Sequence, residues 1–157
     1  MKKILILFLG AVLAASCGPT KVVADSYKVM KGYWNLDDIS YDASGKYKIS
    51  IFNDASSDCF EGSTWRFIPN NNTGVYTIND SDCSSGDRHF IFTVQEIDKA
   101  TGLYDFMLKP TNEKKKSETQ AGYRLRLTQL SDETMQWTQT VYDGGNPVTI
   151  YMNFSKQ

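Results

Sequence analysis

The chain has 157 residues, of which 41% are apolar, 22% charged and 13% aromatic, with 11 Gly and 4 Pro; this composition excludes intrinsic disorder, collagen-like repeats and low-complexity tails. Seventeen basic against eighteen acidic residues give a net charge of −1. Removing a leader that carries Lys2 and Lys3 leaves fifteen basic residues against eighteen acidic ones, too acidic overall to favour nucleic acid as a partner. The remaining chain, roughly 140 residues, is the size of one domain with one core and needs no structural metal to fold.

Met1-Lys2-Lys3 is a short positive region, residues 4–13 are an almost unbroken apolar run, and Leu13-Ala14-Ala15-Ser16 ends in small residues just before Cys17. That is the layout of an export signal over 1–16. A run of about ten residues falls short of the roughly 20 that cross a bilayer as a helix. Ala14-Ala15-Ser16-Cys17 resembles the bacterial lipobox, which implies cleavage before Cys17, lipidation of that cysteine and attachment of the chain to a membrane of the cell envelope, the outer membrane by expectation. The competing reading is an ordinary secretory signal with an incidental cysteine. Acyl chains contribute about 0.8 kcal/mol per buried CH₂, so two or three of them tether a soluble domain stably. Residues 17–30, with small, polar and basic side chains and no sustained periodicity, read as the lipidated cysteine and a flexible tether ahead of a domain over 31–157.

From Lys31 onward the dominant pattern is alternation with period two, broken at short intervals by Gly, Asn, Asp, Ser or Pro. This predicts an antiparallel all-β domain. Trp34, Leu36 and Ile39 open the first strand, and Tyr47, Ile49 and Ile51 form one face of the second, with Lys46, Lys48 and Ser50 opposite. The same split recurs with Trp65 and Phe67, Tyr76 and Ile78, Phe90, Phe92 and Val94, Tyr104, Phe106 and Leu108, and Tyr123, Leu125 and Leu127. Met135, Trp137 and Val141, with Gln139 as a polar exception, precede a last strand carrying Val148, Ile150, Met152 and Phe154. Nine strands are predicted, and no amphipathic helix.

Asp42-Ala43-Ser44-Gly45, Asn70-Asn71-Asn72-Thr73-Gly74, Lys99-Ala100-Thr101-Gly102 and Asp143-Gly144-Gly145-Asn146 place residues tolerant of positive φ between strands. A long polar connection over 110–120 contains Lys114-Lys115-Lys116, read as a solvated loop rather than a docking patch. Nine strands with one apolar face each must close or stack. Periodicity leaves both an up-and-down barrel and a two-sheet sandwich open.

Gly32-Tyr33-Trp34 at the first strand, the lipobox, Asp58-Cys59-Phe60-Glu61-Gly62-Ser63-Thr64-Trp65-Arg66-Phe67 and the Asn-rich Asn70-Asn71-Asn72-Thr73-Gly74-Val75-Tyr76 together resemble the bacterial lipocalin-like lipoproteins, over roughly residues 31–155. The resemblance implies an antiparallel up-and-down lipocalin-like β-barrel of 8–9 strands. It also implies Trp34 as a plug of the closed end, crossed by a late Arg, with Arg124 and Arg126 as candidates on the outward face. A further implication is a small hydrophobic molecule bound at the open end.

Cys59 and Cys83 are the thiols left once Cys17 is acylated, and export places them in an oxidising compartment, so they are predicted to form a disulfide. The competing reading pairs a catalytic Cys with His89, the one histidine; it would need hydrogen-bond reach and a third orienting group. Two Cys and one His lack the fourth ligand of a zinc site. Asp37, Asp38, Asp80, Asp82 and Asp87 are read as turn residues rather than calcium ligands. No phosphate cradle or nucleophile elbow is present, so no cofactor, no metal and no catalysis are expected.

The mature chain carries 7 Phe, 9 Tyr and 3 Trp. Pockets for small molecules are lined mainly by such rings, and Trp65, Phe67, Tyr76, Phe90, Phe92, Tyr104, Phe106, Tyr123 and Trp137 are the expected lining of a ligand site inside the barrel. The expectation is a monomeric, lipid-anchored envelope protein that binds a small hydrophobic or amphipathic molecule and makes no bond. The alternative is an envelope scaffold whose barrel is packed solid and which binds another protein.

Overall fold

The computed structural model describes residues 21–44, 47, 49–98, 103–117 and 119–157. The export signal over 1–16 and Cys17 lie outside these residues. A helix α1 (Lys21–Met30) leads into β1 (Gly32–Tyr41), and a hairpin of two short strands, β2 (Ser50–Ile51) and β3 (Ala55–Ser56), precedes a one-turn helix α2 (Ser57–Phe60). There follow β4 (Thr64–Ile68), a 3₁₀ turn (Pro69–Asn71), β5 (Thr73–Ile78), β6 (Gly86–Asp98), β7 (Leu103–Thr111), β8 (Tyr123–Leu130), β9 (Thr134–Asp143) and β10 (Asn146–Lys156).

Eight of these strands close into a barrel in the order β1-β10-β9-β8-β7-β6-β5-β4, with β1 bonded antiparallel to both β10 and β4. Closure removes the unpaired edges that an open sheet would expose. This is the all-β, lipocalin-like up-and-down barrel that the resemblance implied. The inward faces follow the alternation: Trp34, Leu36, Trp65, Phe67, Tyr76, Ile78, Phe90, Phe92, Val94, Phe106, Leu108, Leu125, Leu127, Met135, Trp137, Val148, Ile150, Met152 and Phe154 are all buried. A bulge between Leu36 and Asp38 adds one residue to β1, which returns Ile39 to the inside and leaves Asp37 and Asp38 both outside. The Gly144-Gly145 turn has positive φ at both residues, the conformation a two-residue hairpin loop requires.

Two expectations change. The predicted strand through Tyr47, Ile49 and Ile51 is not a barrel strand. Among the described residues of this stretch Ser50–Ile51 is extended, pairing with Ala55–Ser56 in a separate two-stranded sheet. Its apolar residues are used nonetheless: Ile51 is buried, Ile49 packs on the core and Tyr47 lies against Tyr41, because residues 49–63 fold over one end of the barrel. The tether expected over 17–30 is, from Lys21 to Met30, a helix. Val23, Ser26 and Met30 are buried at helical spacing, and the Tyr27 ring lies 5.8 Å from that of Phe92. Among the described residues no helix is long and apolar enough to cross a membrane.

Candidate functional site

Of the nine rings expected to line a ligand site, Trp65, Phe67, Tyr76, Phe90, Phe92, Phe106 and Trp137 are fully buried, and Tyr104 and Tyr123 are half-buried. The buried rings contact one another. Trp65 lies 4.6 Å from Tyr76, Phe106 lies 4.5 Å from Trp137, and Trp65 meets Trp137 edge-on at 5.3 Å. Phe92 stacks on Phe106 at 5.3 Å. Such offset and T-shaped arrangements suit the quadrupoles of the rings, and they place ring against ring at the barrel's centre. Trp65 Nε1 donates to Ser63 Oγ at 2.9 Å. Trp137 Nε1, equally buried, has no hydrogen-bond partner among the described residues.

The two ends of the barrel are covered differently. At the end where β1 begins, α1 lies across the opening. Trp34 Nε1 donates to the Met30 carbonyl at 2.9 Å, and the Val94 N–H donates to Tyr27 Oη. Trp34 is fully buried here. Among the described residues no arginine lies over its ring. Lys156 lies there, with Nζ 5.2 Å from the Trp34 ring centroid while donating to the Val29 carbonyl. Arg124 instead pairs with Asp105 on the outer face, at 3.5 Å.

At the opposite end, the mouth, the tip of the β2–β3 hairpin inserts Phe52 over the core. Its ring is 5.1 Å from Tyr123, 5.7 Å from Phe60 and 6.2 Å from Trp65. Asp54 anchors the hairpin to the wall, accepting from Tyr76 Oη at 2.9 Å and pairing with Arg88 Nε at 3.2 Å. Arg88 spends its remaining nitrogens on the Ser84 and Gly86 carbonyls. Tyr123 Oη donates to the Phe52 carbonyl at 2.6 Å. The Cys59–Cys83 disulfide, Cα atoms 5.9 Å apart, ties α2 to the β5–β6 connection, as the cysteine count predicted. It leaves neither thiol as a nucleophile beside His89.

Between this hairpin, the rims of β6 and β7 and the 112–121 connection lies a cleft of about 840 Å³. Phe52, Tyr76, Pro110, Ala121 and Tyr123 give it apolar surface, and Asn53, Asp54, Arg88 and Glu113 give it polar groups. Burial, and then the neighbouring Asp54 carboxylate, push the Tyr76 phenol far above its ordinary range; burial also raises Tyr123. Both therefore stay neutral hydrogen-bond donors at any physiological pH.

No family model and no curated protein matches this chain. Among solved structures it is similar to a lipocalin-like protein from Bacteroides uniformis, at 11% identity and a TM-score of 0.49, covering 82% of this chain and 99% of that one.

Of the nine expected lining residues, the mouth cleft brings together Tyr76 and Tyr123; Trp65, Phe67, Phe90, Phe92, Tyr104, Phe106 and Trp137 are not among the residues that line it. Phe52, Asp54 and Arg88 were missed. The Phe-Asn-Asp tripeptide at 52–54 was the available signal, since it is a turn-forming pair beside a large ring. Of the acidic residues read as turn formers, Asp80 and Asp82 lie in the β5–β6 connection, whereas Asp37 and Asp38 lie in β1 and Asp87 in β6, where they accept from side chains on the neighbouring strands rather than forming turns. Asp80 Oδ1 accepts from the Asp82 N–H, Asp87 Oδ1 from Thr77 Oγ1, and Asp37 and Asp38 from Ser155 and Asn153. Among the described residues no group of three His, Cys, Asp or Glu side chains is placed to hold a metal ion.

Proposed function

We propose that this chain is a non-catalytic binding protein of the bacterial cell envelope, anchored through acyl chains on Cys17, which takes up a small amphipathic molecule at the mouth of its barrel. The observation that carries the reading is the cleft of about 840 Å³, within the size range of small-molecule sites. Its apolar floor of Phe52, Tyr76 and Tyr123 stands beside the fixed Asp54–Arg88 pair. An amphipathic molecule matches that division, with its apolar part on the rings and its polar part toward Asn53, Glu113 and bulk water. The ring-filled interior beneath makes the mouth, rather than the barrel's centre, the place of binding.

Native mass spectrometry of protein purified from its own envelope tests this directly. The expected result is a retained small-molecule adduct that is lost from Tyr123→Ala. A clean apo mass, with tryptophan emission unmoved by fatty acids, lysophospholipids and sterols, would overturn it. The anchor is tested separately: intact mass should show a mature chain beginning at Cys17 with added acyl mass, and Cys17→Ser should release the protein into the soluble fraction.

A second reading has its own observation. On the outer face of β6 and β7, Ile91, Thr93, Met107 and Lys109 with Asn71 and Asn72 form a mainly apolar groove of about 410 Å³. An accessory lipoprotein that docks another protein would use such a groove. Met107→Glu would then abolish partner capture while leaving the mouth adduct in place.

A further inference from the structure

The tip of the β2–β3 hairpin carries an uncommon residue for its backbone. Phe52 and Asn53 both have φ of 53°, and the Asp54 N–H donates to the Ile51 carbonyl at 2.9 Å. Two successive left-handed residues define a turn that favours Asn, Asp and Gly. Asn53 suits it, whereas a phenylalanine places its Cβ against the following carbonyl. The ring occupying that unfavourable position is only 5% exposed. It fills a socket made of four other rings: Tyr123, Phe60, Trp65 and Tyr76, with centroids 5.1 to 6.3 Å away.

The hairpin that holds Phe52 there is not part of the barrel sheet. The tip is attached to the wall by side chains: the Tyr123 hydroxyl on the Phe52 carbonyl, and the Tyr76 hydroxyl and Arg88 guanidinium on Asp54. Behind it, the disulfide fixes the base of the segment through Cys59. The arrangement is a strap with an anchored base and a tip held by three separable contacts. Phe52 also forms part of the cleft floor, so removing its ring joins the cleft to the aromatic socket below. Backbone strain held in place by surrounding contacts marks switchable segments.

We propose that Phe52 is an intramolecular plug: its ring occupies the socket at the barrel mouth and is displaced by an aromatic ring of the incoming ligand. This rests on the reading of the mouth as a binding site, and it narrows the ligand to a molecule with a flat aromatic group. A site filled by its own side chain lowers apparent affinity by the fraction of time it is closed. It also limits association to the rate of opening.

The probe is N-phenyl-1-naphthylamine, an uncharged aromatic fluorophore, followed by stopped flow and equilibrium titration. For the wild type, the observed rate should level off as probe concentration rises. Phe52→Asn keeps a residue that accepts the left-handed backbone and removes the ring. It should bind at least tenfold more tightly, with a rate that rises linearly with concentration. Should Phe52→Asn not melt cooperatively, Tyr123→Phe serves instead. It retains the socket ring but frees the Phe52 carbonyl, and it should raise the plateau several-fold. A linear rate in the wild type, or a plateau unchanged in the variants, overturns the plug. The two readings fail separately. A clean apo mass for the native protein together with a plateau relieved in Phe52→Asn counts against the mouth as an occupied site and supports the plug. A native adduct with linear wild-type kinetics does the reverse.

Discussion

Gly74 shows how little room the ring-filled core leaves. It lies opposite Phe67 and Phe90 in the ladder, and a Cβ built on it would sit 2.2 Å from Phe90 Cζ and 2.8 Å from the Arg66 carbonyl oxygen. The Phe90 ring thus covers the bare backbone of β5, and that contact requires glycine. Gly74→Ala should destabilise by about 1–3 kcal/mol as Phe90 is forced off its rotamer, read as a lower urea midpoint with an unchanged slope. A midpoint equal to the wild type would mean that the barrel has slack around Phe90. Tyr76 makes a second prediction at this scale. Its hydroxyl donates to an ionised partner, a class of bond with a net value of about 1.5–3 kcal/mol, so Tyr76→Phe should lower stability by that order. Its pKa is raised in the folded state above the usual 10.0. The stability that this shift contributes is fully present below pH 10 and is lost as pH rises further, toward the folded-state value. Denaturant unfolding followed from pH 8 to 11.5 should show a flat region and then a decline, with the decline weaker in Tyr76→Phe.

At the scale of elements, the covalent tie between α2 and the β5–β6 connection closes a loop with a sequence separation of 24. In the chain-entropy account a loop of that length stabilises by roughly 3.5 kcal/mol. The double variant Cys59→Ser, Cys83→Ser should lose stability of that order by urea denaturation, and a loss below about 1 kcal/mol would show that residues 49–63 are held over the mouth by their non-covalent contacts alone. The barrel strands and this pairing were legible because both rest on local rules: strict alternation for the strands, and an even thiol count after export for the disulfide. The two misread segments depend on tertiary context. Tyr47, Ile49 and Ile51 alternate like a barrel strand, but alternation records only that one face is covered, whether by the barrel or by a hairpin laid over its mouth. In α1 the inward residues Val23, Tyr27 and Met30 give barely two turns of helical period among Lys21, Asp25 and Lys28, too short a stretch to stand out without the surface it packs on. The mouth was hidden for the same reason. The Phe52–Asp54 turn, Arg88 and Tyr123 are far apart in the chain, and only closure of the barrel brings them together.

For the whole molecule, the two capped ends give the barrel a direction. Three residues separate Cys17 from Lys21 in the sequence, a reach of about 14 Å at most when fully extended. Lys21 opens the helix that covers the closed end, with Val22 and Asp25 beside Leu130 and Gln129 where β8 ends. Acyl chains on Cys17, as proposed, would hold that end near the bilayer. The longest barrel wall strand of the last hairpin, β10, has 11 residues. At about 3.3 Å per residue and a tilt near 40°, it carries the mouth some 25–30 Å farther out. The cleft would then open to the aqueous side, and its ligand would arrive from solution rather than sideways from the lipid. Single cysteines placed at Asp132, in the β8–β9 turn of the closed end, and at Glu113, in the wall of the mouth, distinguish the two orientations once nitroxide-labelled on vesicle-bound lipidated protein. A water-soluble paramagnetic nickel chelate should broaden the Glu113 label strongly and the Asp132 label weakly. Equal broadening, or the opposite order, would mean that the barrel lies on its side or mouth-down, and the route of ligand entry would have to be through the membrane.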